Sequence, residues 1–263
     1  MKRLIILAVL ALPLPAFAQG TVKELDTDFQ TRTSIGADWK ISKGLHFEAG
    51  YELRTANNLG NLSRHSVTAG LSYKILPGLK AGLSYTYFSN YGAKKGWNDR
   101  HRVSGQIGYT YKLGDWNLSL RETLRWTHKT ESLNTYEKNP DPITLKSRFK
   151  VAYKGFDKIE PYALVEVRNV FNDPLVNAKW STSSNAYTDY TFGGYGDTYI
   201  NRVRGGLGLD WKLSKNHSLD FYLFEDYCYD KDLNVSEDGL TLKSLKWDQE
   251  LDTIVGLGYT FSF

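Results

Sequence analysis

Three residues of the chain combine the side-chain types that nucleophilic catalysis requires. Glu122, His128 and Ser147 supply a carboxylate, an imidazole and a hydroxyl, the groups of a Ser–His–acid triad. No G-x-S-x-G nucleophile elbow accompanies them, and the many serines make such combinations common by chance. Hydrolysis of lipid by these residues is therefore an alternative only, and we predict a protein without catalytic residues.

Cysteine and histidine are too sparse to predict a metal site. Cys228 is the one cysteine, and the sequence contains neither a CxxC pair nor an HExxH motif. A lone cysteine cannot form a disulfide within its chain. We expect no metal ion, no cofactor and no internal disulfide.

Charged side chains recur at every second position of many segments, opposite in phase to the apolar side chains. If this phase faces the interior of a barrel, its excess of basic residues would line a narrow, water-filled path that prefers small polar or anionic solutes. The same charges could instead pair with one another and close the interior, because buried unpaired charge is costly. The candidates for the lining are Arg54, Arg102, Arg121, Arg125, Arg148, Arg202, Arg204, Glu52, Glu166 and Asp220.

The elements that would position these residues are β-strands. From Phe29 to Ile41 apolar and polar residues alternate, and a period of two indicates a strand with one apolar face. A short turn joins this strand to a second alternating segment, so that the two form a hairpin. Four more such hairpins follow along the chain, and then a last strand. The hairpins are joined by longer polar connections, predicted at 55–63, 89–99, 127–143, 169–198 and 230–246.

This alternation of short turns and long connections is typical of transmembrane barrels of the bacterial outer membrane. A soluble lipocalin-like barrel, the rival fold, would turn its apolar side chains inward around a ligand. We therefore predict an all-β, antiparallel transmembrane barrel with short periplasmic turns and long extracellular loops. Antiparallel closure needs an even number of strands, so Thr21–Leu25 is predicted as a short twelfth strand beside the eleven strong ones.

Tryptophans near the strand ends predict where such a barrel would meet the membrane surfaces. Trp116 and Trp126 are ten residues apart on one apolar face, which separates them by roughly 25 Å along a tilted strand, the height of the apolar band. The predicted interfacial girdle comprises Trp39, Trp116, Trp126, Trp211 and Trp247.

The first residues of the chain predict export. Lys2 and Arg3 precede the apolar run 4–14, and Ala16-Phe17-Ala18 resembles a cleavage site, so residues 1–18 are expected to be a signal peptide and 19–263 the barrel. The whole chain carries 33 basic and 29 acidic residues, a balance that argues against nucleic acid as a partner.

Three segments resemble a family of single-domain outer-membrane barrels of Gram-negative bacteria that carry a domain of unknown function. They are Thr33–Lys40, Phe47–Arg54 and Gly256–Phe263. The resemblance implies a porin-like barrel in the outer membrane, in contact with its lipid, but no established activity. The aromatic ending, Tyr259, Phe261 and Phe263, looks like the signal that the barrel-assembly machinery reads.

Overall fold

A computed structural model describes residues 20–92 and 96–263. In this part of the chain eleven strands form one closed barrel, in which each strand pairs with its neighbours in sequence and β1 pairs with β11. The predicted all-β barrel is thus confirmed, whereas the predicted signal peptide lies outside the described residues. No helix among these residues is long and apolar enough to span a membrane.

The strands range from eleven to 27 residues. In chain order they are β1 Thr21–Ser42, β2 Leu45–Ala56, β3 Asn61–Leu76, β4 Leu79–Gly92, β5 Gly96–Leu113, β6 Trp116–Lys129, β7 Ile143–Tyr153, β8 Ile159–Ser181, β9 Ala186–Lys212, β10 His217–Val235 and β11 Leu242–Ser262.

The prediction of twelve strands is wrong, because the barrel closes through a parallel pair. β1 lies parallel to β11 from Thr21 beside Lys246 to Asp38 beside Ser262, and every other pair is antiparallel. Thr21–Leu25 is the beginning of β1, since no turn reverses the chain before Phe29. With an odd number of strands the first and last run in the same direction, and a parallel ladder, slightly weaker per residue, joins them.

The predicted long connections 169–198 and 230–246 are mostly strand, and all described residues of the predicted connection 89–99 belong to β4 and β5. β8 and β9 continue to a turn at 182–185, and β10 and β11 continue to a turn at 236–241. The remaining described connections at this end are 57–60 and 130–142, while those at the other end are 43–44, 77–78, 114–115, 154–158 and 213–216. The polar composition of these segments predicts loops. Backbone hydrogen bonds between the two strands of each hairpin instead keep the segments extended.

These two hairpin extensions pack against each other beyond the barrel wall. β9 pairs with β10 only as far as Arg202 beside Cys228, after which the two hairpins separate. A small apolar core then fills the space between them, formed by Leu233, Val235, Leu242 and Leu245 with Val176, Ala178, Tyr187, Tyr190 and Tyr136 packed against it. The segment 169–198 is therefore mostly a β-hairpin, with one side packed on the neighbouring hairpin.

This packing also corrects one residue of the predicted girdle. Trp247 is 6% exposed, because its ring stacks on Tyr229 at 4.6 Å and meets the edge of Tyr199 at 5.1 Å between ring centroids. The other four tryptophans of the predicted girdle are exposed on the outer surface, together with large aliphatic side chains of the same phase. They are Trp39, Trp116, Trp126 and Trp211.

Aromatic side chains fill part of the barrel interior, and glycines on the paired strands make room for them. Tyr162, Leu164, Phe224 and Ile254 are buried in one cluster with Ala152, and Tyr222 packs against it. Tyr222 lies opposite Gly256, Phe224 opposite Gly206, and Tyr162 opposite Gly208. A β-carbon at these glycines would lie 1.9–2.3 Å from the facing ring.

We predict that Gly208→Ala destabilises the barrel, because its new methyl group would lie 2.2 Å from Cζ of Tyr162. The expected loss in the free energy of unfolding is about 1–3 kcal/mol, the usual cost of overpacking, measured by urea unfolding with tryptophan fluorescence. Gly205→Ala on the same strand is the control, since no atom lies within 4 Å of its β-carbon position. Equal losses for the two variants would contradict this account.

Candidate functional site

The charged side chains of the interior are separated by sign between two walls of the barrel. On β3 to β7 the inward charged positions within the described residues are all basic, whereas those of β10 from 218 to 230 and β11 from 250 to 260 are all acidic. The acidic set is Asp220, Asp226, Asp230, Glu250 and Asp252. The barrel thus carries an electric field across its lumen, directed from one wall to the other.

Asp226 is the centre of the ion-pair network where the walls meet. Its carboxylate is 0% exposed and accepts hydrogen bonds from Arg204 at 2.5 and 2.6 Å and from Arg202 at 2.9 Å. Arg32, on β1, lies 3.5 Å away. Cations from two strands therefore converge on one buried anion, and this contact links β1, β9 and β10 inside the lumen.

Glu166, on β8, is the centre of a second group of ion pairs. Its carboxylate lies 2.6 Å from Lys146 Nζ and 2.6 Å from Arg148 Nη2, and 3.9 Å from Arg204 Nη1. Through Arg204 the networks of Glu166 and Asp226 are continuous. Four of the predicted lining residues, Glu166, Arg148, Arg202 and Arg204, thus belong to one network that ties the barrel wall together.

The other predicted lining residues have separate environments. Arg54 and Glu52 form an ion pair at 2.6 Å on β2. Asp220 accepts a hydrogen bond of 2.8 Å from Tyr162, at the aromatic cluster. Arg102 donates to Thr127 at 3.0 Å and its guanidinium lies 4.4 Å from the ring centroid of Phe88.

A cavity of about 210 Å³ lies against the basic wall, which we call the basic chamber. Five cationic side chains, five hydroxyls and one amide line it, and no carboxylate of the described residues is part of its lining. It brings together four of the predicted residues, Arg102, Arg121, Arg125 and Arg148. The full lining is Thr68, Ser84, Thr86, Arg102, Ser104, Gln106, Arg121, Thr123, Arg125, Lys146 and Arg148.

The residues of the alternative hydrolytic triad are not brought together. Ser147 donates a hydrogen bond of 2.6 Å to Glu122 on the outer surface, but His128 lies six residues further along β6 and contacts Asp141 at 2.8 Å. Six residues of strand span roughly 20 Å. The serine is therefore bonded to the carboxylate and has no imidazole beside it to accept its proton.

One thiol and two carboxylates lie close together on the acidic wall. Ligand atoms of Cys228, Glu250 and Asp252 are within 4.8 Å of one another, and the thiol is 3.8 Å from a carboxylate oxygen of Asp252. These residue types can hold a metal ion. The sequence could not reveal the cluster, because it forms only through the register of β10 on β11.

The aromatic ending of the chain lies at the end of the barrel that carries the short turns. Tyr259 contacts His217 at 2.5 Å between its hydroxyl and Nδ1, and the ring of Phe261 meets that of Phe263 at 4.4 Å. Phe263 is 66% exposed and lies near Trp39. The three rings thus form an accessible patch beside the β1–β11 seam.

Sequence reasoning also missed the residues that give the interior its shape. Asp226 gave no stronger signal than any other acidic position, and the hydroxyls of Thr68, Ser84 and Thr86 looked like ordinary polar alternation. One signal was present in the sequence, since Gly206, Gly208 and Gly256 fall on inward positions of long strands. Glycine in a strand interior marks a close approach by another group.

We predict that Asp226→Asn destabilises the barrel strongly, because it removes the anion from a buried cluster of arginines. The expected loss in the free energy of unfolding is about 3–5 kcal/mol, as for other buried ion pairs with one partner deleted. Asp157→Asn in the exposed 154–158 turn is the matched control and should unfold like the unaltered protein. Identical urea midpoints for the two variants would show that the network adds no stability.

Comparison with known proteins supplies a family. None of the curated proteins matches the chain significantly. Among solved structures, the translocator domain of autotransporter NalP from Neisseria meningitidis is similar over 71% of this chain and 70% of its own, with 16% identity and a TM-score of 0.36. The family described as "Protein of unknown function (DUF2490)" matches residues 29–236, and the chain therefore belongs to this family.

Proposed function

We propose that this protein is a barrel of the bacterial outer membrane whose lumen admits small anions along the basic wall. The observation that carries the proposal is the combination of an apolar outer surface with a charged interior. It is the arrangement of a cylinder that is surrounded by lipid and filled with water and polar groups.

The outer surface supports the membrane location. Large apolar side chains project from every strand of the wall, among them Leu207 at 65% exposed, Leu83 at 62% and Ile35 at 57%. Contiguous apolar surface on this scale is rare on soluble monomers and marks contact with lipid or protein. Lipid that surrounds the whole cylinder would cover all of it at once.

Two outward carboxylates are compatible with this location because each has a partner. Glu122 accepts the hydrogen bond from Ser147, and Glu225 accepts one of 2.9 Å from Thr253. A hydrogen bond lowers the cost of placing a polar group beside lipid. The partners that we expect for the protein are outer-membrane lipid and, through Tyr259, Phe261 and Phe263, the barrel-assembly machinery.

The interior supports an anion path rather than a cation path. The basic chamber offers cations and hydroxyls with no lining carboxylate among the described residues, and Arg and Lys side chains that line a pore are one basis of anion selectivity. A second candidate function, a closed structural barrel, is favoured by the aromatic cluster and by the ion pairs of Asp226 and Glu166. The conductance measurement below separates the two functions.

We predict that Leu207→Arg impairs assembly into lipid, because the cost of a charged side chain on the lipid face near mid-membrane is about 2–4 kcal/mol. The measurement is the free energy of unfolding from phosphatidylcholine bilayers, with cell fractionation as an independent readout. Leu240→Arg is the control, since Leu240 is 75% exposed in the 236–241 turn. If both variants assembled like the unaltered protein, or if the unaltered protein fractionated as a soluble protein, the membrane location would be wrong.

We predict discrete current steps when the refolded protein is added to planar bilayers. In a gradient of potassium chloride the reversal potential should have the sign of chloride selectivity, because the chamber is basic. A flat trace would instead favour the closed structural barrel, and selectivity for potassium would contradict the assignment of the path to the basic wall.

A further inference from the structure

We propose that the basic chamber is a binding site for a doubly charged oxyanion of the phosphate class, held by Arg121 and Arg125. The inference deepens the proposed function and rests on it for the route by which the ion enters. It assigns to the lumen one defined site with a preferred ligand, in place of a general preference for negative charge.

Two guanidinium groups of the chamber have no partner within residues 20–92 and 96–263. Neither Arg121 nor Arg125 makes a side-chain hydrogen bond or an ion pair there, and Nε of Arg125 is buried without an acceptor. A guanidinium carries five N–H donors and no acceptor. Buried donors without acceptors are exceptional in folded proteins, and a group that supplies acceptor oxygens in the chamber would satisfy Nε of Arg125 and the half-buried guanidinium of Arg121.

The remaining cations of the chamber are already positioned by protein groups. Lys146 and Arg148 share the carboxylate of Glu166, while Arg102 is held by Thr127 and Phe88. Glu166 is thus the only carboxylate of the described residues that forms an ion pair with a cation of the chamber lining, and it contacts two of the five cations. Positive charge without compensation is costly in a low-dielectric interior, and an anion in the chamber would remove this cost.

The hydroxyls of the chamber indicate an oxyanion instead of a halide. Thr68, Ser84 and Thr86 lie on β3 and β4, on the other side of β5 from Arg121 and Arg125 on β6. The hydroxyls of Thr68 and Thr86 share one hydrogen bond of 2.9 Å, which leaves one of their two protons free to be donated to a ligand. A phosphate group has enough oxygens to accept from both sides at once, and planar guanidinium groups bind such oxygens in pairs. The cavity of about 210 Å³ exceeds the roughly 30 Å³ that one water occupies in the liquid.

The structure favours two charges over one for a related reason. A chloride ion neutralises one guanidinium and leaves the second with its donors unmatched, whereas a phosphate dianion balances both. The ligand is either free phosphate or the phosphate group of a larger solute. These two sources share the same chemistry at the site and differ only in whether the chamber has room for the attached group.

The test is calorimetric titration of the full-length protein, purified in a neutral detergent at constant ionic strength, with inorganic phosphate. We expect saturable binding of one ion per chain, and weaker binding of chloride by at least about tenfold, because hydrogen bonds to charged groups are strong. Glycerol 3-phosphate is titrated in parallel. Equal affinity for it would assign the site to phosphate groups of larger solutes, and its exclusion would assign the site to the free ion.

The decisive variant is Arg121→Gln combined with Arg125→Gln, which should abolish phosphate binding. Lys112→Gln is the matched control, since Lys112 is an inward cation of β5 outside the chamber lining, and its affinity should stay within about twofold of the unaltered protein. If the double variant fails to fold, Arg121→Lys keeps the charge, loses paired donation and should weaken binding by about tenfold.

Thermal unfolding supplies a second readout. Phosphate should raise the Tm of the unaltered protein and of Lys112→Gln, and leave that of the double variant unchanged, because a ligand stabilises only the state that binds it. Absence of saturable binding, or retention of binding in the double variant, would overturn the site. Because both measurements are made in detergent, binding without current in bilayers would contradict only the channel, and current without binding only the site.

Discussion

Closure of the backbone hydrogen-bond ladder is the constraint from which the rest of the structure follows. In the membrane location that we propose, an unpaired strand edge would face lipid, where no water is present to satisfy its N–H and C=O groups. With eleven strands the circle closes only if the first and last strands run in parallel, and β1 pairs with β11 in this way from Thr21 to Asp38. Once the ladder is closed, alternation assigns each side chain to the outside or the lumen.

The lumen then has to accommodate side chains of three kinds in little space. Aromatic rings pack against glycines on the β8–β11 side, ion pairs gather around Asp226 and Glu166, and the basic chamber remains open beside β3 to β7. Although Nε of Arg32 and Nε of Arg202 are buried without an acceptor, the first two arrangements pair their charged groups. The chamber does not, since Arg121 and Arg125 face it without acceptors. The basic chamber is therefore the part of the lumen where we expect a ligand to bind, because its charge is not compensated by the protein.

The barrel could be predicted from the sequence because alternation is a local property. The apolar phase of β1, β5 and β6 is visible in any ten-residue window, and so are the tight turns at Gly44, Gly78 and Gly114, which all adopt positive φ. The predicted number of strands is wrong because an even number is required only when all neighbouring strands are antiparallel, and β1 and β11 are parallel. Trp247 was wrongly predicted at the outer surface, because Tyr199 covers it. Tyr199 is distant in sequence and lies in the part of β9 that is no longer paired with β10. Asp226 and the chamber likewise depend on register around the whole barrel.

The separation of acidic and basic walls has a consequence for molecules that bear no net charge. Between Asp230 and Glu250 on one side and the arginines of β3 to β7 on the other, a dipolar solute without net charge experiences a torque, whereas a uniform field exerts no net force on it. A zwitterion would turn its ammonium group toward β10 and its carboxylate toward the guanidinium groups, and it would keep this alignment along the axis. Water inside the barrel would be polarised in the same sense. If solutes enter the lumen as we propose, it would discriminate by the orientation of a dipole as well as by the sign of a charge.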